Sequence, residues 1–205
     1  YLTEMTDILL QHQGTLDKYI GDAIVAFYGA PAPLVDQEKK ACSTALMMHN
    51  KLDELRKKWM KEDDWPDIVY QMQHRIGLNS GQMVTGNMGS EMRMNYTMMG
   101  DTVNLAARLE PAAKQYGVYI LVGEKVYEAS NDEFAFRFLD FLSVKGKEIP
   151  AKTYELIDRK DSIDKRSIEL IKTFEEGLDN YFNQKWDHAI KSFLNSINLE
   201  DDFPG

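Results

Sequence analysis

Asn104 and Arg108 stand four residues apart in the stretch 101–110, where the pattern predicts a helix. Residues at i and i+4 of a helix project from one face. An amide beside a guanidinium suits a sugar oxygen and a phosphate that gathers charge. A plainer reading of the same spacing pairs Arg108 with Glu110 or another surface acid and leaves Asn104 solvated. Asp22 follows Gly21 at a tight-hairpin signal. A carboxylate at a hairpin tip is a natural hard-cation ligand, because its oxygens face outward with little steric cover; taken alone, Gly-Asp is merely a turn. Lys18 lies four residues earlier, on the strand face it shares with Ile20 and Asp22. Without further context Lys18 is a solvated edge charge, Thr97 an unremarkable strand residue, and Val144-Lys-Gly-Lys147 a solvated turn around Lys145.

The elements that must position these residues are legible as periodicities. Leu2, Met5, Ile8, Leu9 and His12 recur at helical spacing, and Gly14 is expected to stop that helix. No cap or turn precedes it, so the start reads as a cut. Residues 15–20 and 23–28 read as strands joined by Gly21-Asp22. Asp36 is placed to cap a helix over 37–57. After a polar break at 63–67, residues 68–78 and 82–86 look like strands around Asn79-Ser80-Gly81. Residues 86–94 form a polar, methionine-rich arm, and 96–99 a short strand. Asp101 is expected to cap a helix through Glu110, which Pro111 kinks or interrupts. Residues 118–122 read as a strand and 124–129 as a short helix. A hairpin of 134–144 with 152–157 closes the unit. Alternating hairpins and helices of this kind imply an α+β sandwich.

Beyond residue 157 the composition changes. A charged linker over 158–166 leads into two amphipathic helices, roughly 168–183 and 186–198. Gly177, Trp186, Ala189 and Phe193 match parts of a tetratricopeptide unit. One such unit cannot bury its own face, so it must pack on the preceding domain or on further repeats.

Composition narrows the function classes. The chain has 205 residues, is 43% hydrophobic and carries a net charge of −9. With no basic block, a nucleic-acid partner is not expected. No apolar run approaches the roughly 20 residues of a membrane span, and no signal-peptide pattern opens the chain. Cys42 is the sole cysteine, which excludes an internal disulfide and favours a reducing, cytoplasmic setting; it is expected to be a small core residue. His12, His49, His74 and His188 show no ligand spacing.

Five stretches in order carry a family resemblance: Lys18-Tyr-Ile-Gly-Asp22, Arg75-Ile-Gly-Leu-Asn-Ser-Gly81, Gly86-Asn-Met-Gly-Ser90, the run from Tyr96 to Glu110, and Val144-Lys-Gly-Lys147. Together they resemble the class III nucleotidyl cyclases, over roughly residues 1–157. The resemblance implies a ferredoxin-like βαββαβ-type sandwich with antiparallel hairpins, followed by the helical pair of 158–205. It implies an adenylate cyclase that converts ATP to cyclic AMP and pyrophosphate by attack of the ribose 3′-oxygen on the α-phosphorus. Lys18 then matches the lysine that reads adenine N1, and Thr97 the second base-reading position, where a hydroxyl accepts from the 6-amino group. Glutamate and cysteine would be expected there in a guanylate cyclase. Asn104 resembles the residue that orients the ribose, Arg108 the one that stabilises charge at the α-phosphate, and Lys145 the one that grips the terminal phosphates. Asp22 resembles one of two aspartates that hold a pair of Mg²⁺ ions, with Mn²⁺ able to substitute. The family builds its sites across a head-to-tail dimer, so a homodimer with two equivalent sites is implied, with an upstream sensor or regulatory domain in the whole protein and no membrane contact by these residues.

One departure qualifies this reading. The family's first strand, with its other metal aspartate and phosphate loop, precedes the helix at which this sequence starts, and neither Asp7 nor Asp17 has that context. The 205 residues by themselves are therefore expected to make little or no cyclic AMP. The competing readings are a non-catalytic dimerisation or nucleotide-sensing module of the same fold, and a scaffold acting through the helical tail.

Overall fold

The structure is a computed structural model and describes residues 1–142 and 150–199. Fifteen elements follow one another among these residues. Helix α1 (Leu2–Gln11) leads into the antiparallel hairpin β1 (Thr15–Ile20) and β2 (Ala23–Phe27). The long helix α2 (Gln37–Glu62) and the single turn α3 (Asp67–Tyr70) precede strand β3 (Ile76–Leu78). A second hairpin pairs β4 (Val84–Ser90) with β5 (Arg93–Met99). Helix α4 (Asp101–Tyr116), strand β6 (Ile120–Gly123), helix α5 (Glu124–Ser130) and the strands β7 (Phe134–Leu142) and β8 (Ala151–Arg159) complete the α+β unit. Helices α6 (Lys165–Phe182) and α7 (Trp186–Leu199) form the tail.

The centre is a mixed four-stranded sheet in the order β3-β6-β8-β7, parallel between β3 and β6 and antiparallel elsewhere. Alternation along β6 covers both of its faces. Ile120 and Val122 point to Cys42 and Ala45 of α2 and to Val126 of α5. Leu121, between them, points to Leu105, Leu109 and Ala113 of α4. Sheet and helices thus bury each other on two sides, as neither face could stay in water. A third cluster sets Met5 of α1 against Leu52, Leu55 and Trp59 of α2, so α2 has a buried face that runs from Cys42 to Trp59 and the helix outruns the expected 37–57. Cys42 is fully buried, and burial pushes its thiol up to about 12, as suits a core residue.

Several local expectations give way to tertiary packing. Residues 68–70 form the turn α3 instead of a strand, and β3 keeps only Ile76–Leu78, the three residues that pair with β6. The arm at 86–94 is itself β-structure, since β4 and β5 pair from Val84 with Met99 to Ser90 with Arg93. Pro111 does not end α4, which continues to Tyr116. Leu105 and Leu109 before it and Ala112 and Ala113 after it all pack in one cluster, and that burial outweighs the lost hydrogen bond. Asp36 sits at the N-cap of α2 with a left-handed backbone, and its side chain makes no cap hydrogen bond. Gly100, not Asp101, is the N-cap of α4.

The tail is a helical hairpin. Asp164 caps α6 by accepting from the Ser167 N–H at 2.8 Å. A side chain at Gly177 would meet the Phe193 ring at 2.7 Å, so glycine there permits α6 and α7 to touch. Of the two packing modes open to the tail, α6 uses the sheet: Phe174 lies 4.7 Å from the buried guanidinium of Arg137, and Phe182 packs edge-on to Phe141.

Candidate active site

Lys18 on β1 and Thr97 on β5 are 79 residues apart and meet in space. The Lys18 ammonium donates to Thr97 Oγ1 at 3.3 Å. The Thr97 hydroxyl in turn donates to Asp17 Oδ2 at 2.7 Å, and Lys18 Nζ lies 3.4 Å from that same oxygen. Consecutive strand residues normally point to opposite faces. Here β1 carries a bulge, because its register on β2 shifts between Leu16 and Lys18 and leaves Asp17 as the extra residue. A bulge re-aims a side chain, and so both Asp17 and Lys18 reach Thr97. The Asp17 side chain is 2% exposed against 46% for Lys18. Its other oxygen, Oδ1, is buried without a partner.

Asn104 and Arg108 lie on α4, one residue before the buried pair Leu105 and Leu109, and both are exposed. The helix is held over the sheet by a close approach: a Cβ on Gly77 of β3 would fall 2.6 Å from the Ala106 carbonyl oxygen and the Glu110 nitrogen. Asn79 ties the turn after β3 to the same helix, its side-chain amide donating to the Thr102 carbonyl at 3.0 Å. The pairing of Arg108 with Glu110 does not form. Glu110 is taken by Arg75, at 3.3 Å, and no ion pair holds Arg108 among the described residues. Its guanidinium remains available to an outside anion. No hydrogen bond among these residues joins Asn104 or Arg108 to Lys18, Thr97 or Asp22.

Asp22 sits, as expected, in the exposed turn between β1 and β2. The phenol of Tyr1 is pushed up, first by burial and then by the Asp22 charge. Among the described residues no group of three His, Cys, Asp or Glu side chains is placed to hold a metal ion. Asp22 is one carboxylate and does not complete a two-metal centre with these residues. Lys145 lies outside the described residues. A groove of about 370 Å³ between α1 and α2, bordered by Glu4, Asp7, Asn50 and Glu54, contains none of the candidate residues. Lys18, Asp22, Asn104 and Arg108 are exposed and Thr97 is half-buried. His49 and His74, without ligand spacing in the sequence, pack in tilted ring contacts with each other, His49 also with Tyr119 and His74 with Tyr1.

Residues 1–158 match the adenylate and guanylate cyclase catalytic domain. The chain belongs to that family. The chain is 31% identical over 198 residues to the terminal-differentiation specific adenylate cyclase of Dictyostelium discoideum, a match that covers 94% of this chain and 9% of that protein. It thus spans a small part of that relative's length. Among solved structures, the adenylyl cyclase CyaB of P. aeruginosa superposes with a TM-score of 0.68 at 30% identity, covering 80% of this chain and 82% of the other. A guanylyl cyclase superposes nearly as well, with a TM-score of 0.65 at 28% identity and 80% of each chain covered. Fold and cyclase chemistry are common to both kinds, so overall similarity does not select the base. Asp17 is the site residue that the sequence did not point to. Its position next to Lys18 was the only signal, and regular strand alternation argues against it; only the bulge brings it in.

Proposed function

We propose that the whole protein is an adenylate cyclase that forms 3′,5′-cyclic AMP and pyrophosphate from ATP. The contact between Lys18 and Thr97 carries this reading, because it sets a donor beside a hydroxyl oxygen, across from where a purine edge would lie. Adenine offers an acceptor at N1 and a donor at its 6-amino group, matching an ammonium and a hydroxyl oxygen; guanine offers the reverse. Asn104 orients the ribose, and Arg108, free of Glu110, stabilises charge developing on the α-phosphate. Lys145 holds the terminal phosphates. A pair of Mg²⁺ ions, replaceable by Mn²⁺, would neutralise alkoxide and leaving-group charge when bound; Asp22 is the ligand proposed from this chain. Lys18, Asp22, Asn104 and Arg108 are exposed, and so are Met92, Met94 and Met99 of the β4–β5 hairpin. Both facts support two sites shared across a homodimer.

The test is base selection. Lys18→Glu combined with Thr97→Cys in the whole protein should lower the ratio of ATP to GTP turnover by roughly 5- to 150-fold, the equivalent of one unpaired buried polar group. An unchanged ratio sinks the assignment. The lone Asp22 carboxylate favours a second reading, a nucleotide-sensing or dimerisation module without catalysis. Mg²⁺-dependent cyclic AMP synthesis by the whole protein rules that out. The 205 residues alone should make little or no cyclic AMP in the same assay.

A further inference from the structure

Asp17 has no part in the roles above, yet it is the more deeply buried of the two charged side chains that touch Thr97. We infer that Asp17 fixes the Thr97 hydroxyl as an acceptor, and so sets the site to take a 6-amino rather than a 6-oxo purine; this rests on the reading of Lys18 and Thr97 as the base-contacting pair. A hydroxyl has one proton and two lone pairs, and left alone it rotates to suit whatever ligand arrives. A serviceable base reader must not do so, because a rotating hydroxyl would serve a 6-oxo group as well as a 6-amino group.

The surroundings of Thr97 remove that freedom. An ionised carboxylate only accepts hydrogen bonds and an ammonium only donates them. With Asp17 Oδ2 at 2.7 Å and Lys18 Nζ at 3.3 Å, the hydroxyl proton goes to Asp17 and one lone pair to Lys18. The second lone pair is left for a donor on the ligand. Burial of the Asp17 side chain strengthens this hold, since little water competes for the carboxylate. The bulge that displaces Asp17 from the strand alternation is what permits the contact. Stability alone would not select an acid here: Oδ1 has no partner, and a buried unsatisfied oxygen is a cost that a neutral residue would reduce. Asp17 is thus a positioning residue that acts through Thr97.

The experiment measures the affinities of the whole protein for ATP and for inosine triphosphate, which carries a 6-oxo group and lacks the 2-amino group of guanine. Asp17→Asn keeps the size but supplies an amide that can donate to Thr97, releasing the hydroxyl proton toward the ligand. The ATP-to-ITP affinity ratio should fall by about 10-fold, and in a Thr97→Val background the same substitution should leave the ratio unchanged. Equal weakening of both nucleotides would mean that Asp17 only supports the strand, and would overturn the proposal. A folding defect in Asp17→Asn does not close the question, because the Thr97 hydroxyl proton can be followed by NMR in the unaltered protein. Exchange slowed well below the bulk rate supports the hold, and exchange at the bulk rate overturns it. Affinities and proton exchange are independent of turnover. A protein that makes no cyclic AMP defeats the cyclase reading, while an unchanged ratio defeats this one.

Discussion

At the scale of single residues, the state of Arg108 governs what can be expected of it. Glu110 is engaged by Arg75, and among the described residues no ion pair has to break for Arg108 to meet an anion. A group that meets charge only as it develops contributes to the transition state more than to the bound substrate. Arg108→Ala in the whole protein should therefore lower kcat by about 10²–10³ with a much smaller rise in KM. Steady-state kinetics with ATP decide the matter; a rise in KM alone would make Arg108 a general substrate contact. Lys18 and Thr97 differ from Arg108 in being held before any ligand arrives, which is why the base test above reads selectivity and not rate.

At the scale of elements, the pairing of β7 with β8 carries the tail. Arg137 and Glu155 are opposite each other in that register, with the guanidinium donating to Glu155 Oε2 at 2.8 Å from Nε. The Arg137 side chain is 4% exposed and that of Glu155 17%. Phe174 of α6 covers the guanidinium. Removing one member of a buried ion pair typically costs about 3–5 kcal/mol. Arg137→Ala is expected to destabilise the fold by that order in urea titrations and to increase proteolysis in α6, whose ring loses its seat. A loss under about 1 kcal/mol would show that the pair is compensated by its other neighbours.

At the scale of the whole molecule, two expectations concern pH and assembly. His74 is pushed down to about 4 from an ordinary 6.5, mostly by burial and further by His49, with Asp53 opposing and Arg56 adding to the effect. The unfolded chain therefore binds a proton that the fold refuses. That contribution to stability is intact above pH 6.5 and is lost as pH falls through the window from 6.5 to about 4, by at most about 3 kcal/mol. Urea unfolding at pH 7.5 and 5 should show the decline, and His74→Gln should flatten it. No helix among the described residues is long and apolar enough to cross a membrane. For assembly, Asp22→Ala and Arg108→Ala are each expected to be inactive as whole proteins. Mixed, they should regain activity, because one site of a heterodimer keeps both groups. Absence of recovery, with subunit exchange confirmed by a label, would rule out the shared site.

The sequence by itself determined the elements with strong local periodicity, the family, and the placement of Asn104 and Arg108 on one helix face. Those features depend on neighbours within a turn or two, where residue type and spacing act directly. The helical tail was legible for the same reason. What only the tertiary structure decided was everything resting on distant partners. Residues 68–70 became a helical turn and 86–94 part of a paired hairpin because pairing, not propensity, selects between weak local preferences. Pro111 stayed within α4 because packing on both sides of it outweighs one missing hydrogen bond. Arg108 was released by Arg75, 33 positions away by residue number. Asp17 reached Thr97 through a bulge, a defect in alternation that no period-2 pattern encodes. The chemistry of single positions is written locally, but the direction of one hydroxyl proton on Thr97 is set by a carboxylate 80 residues away in sequence.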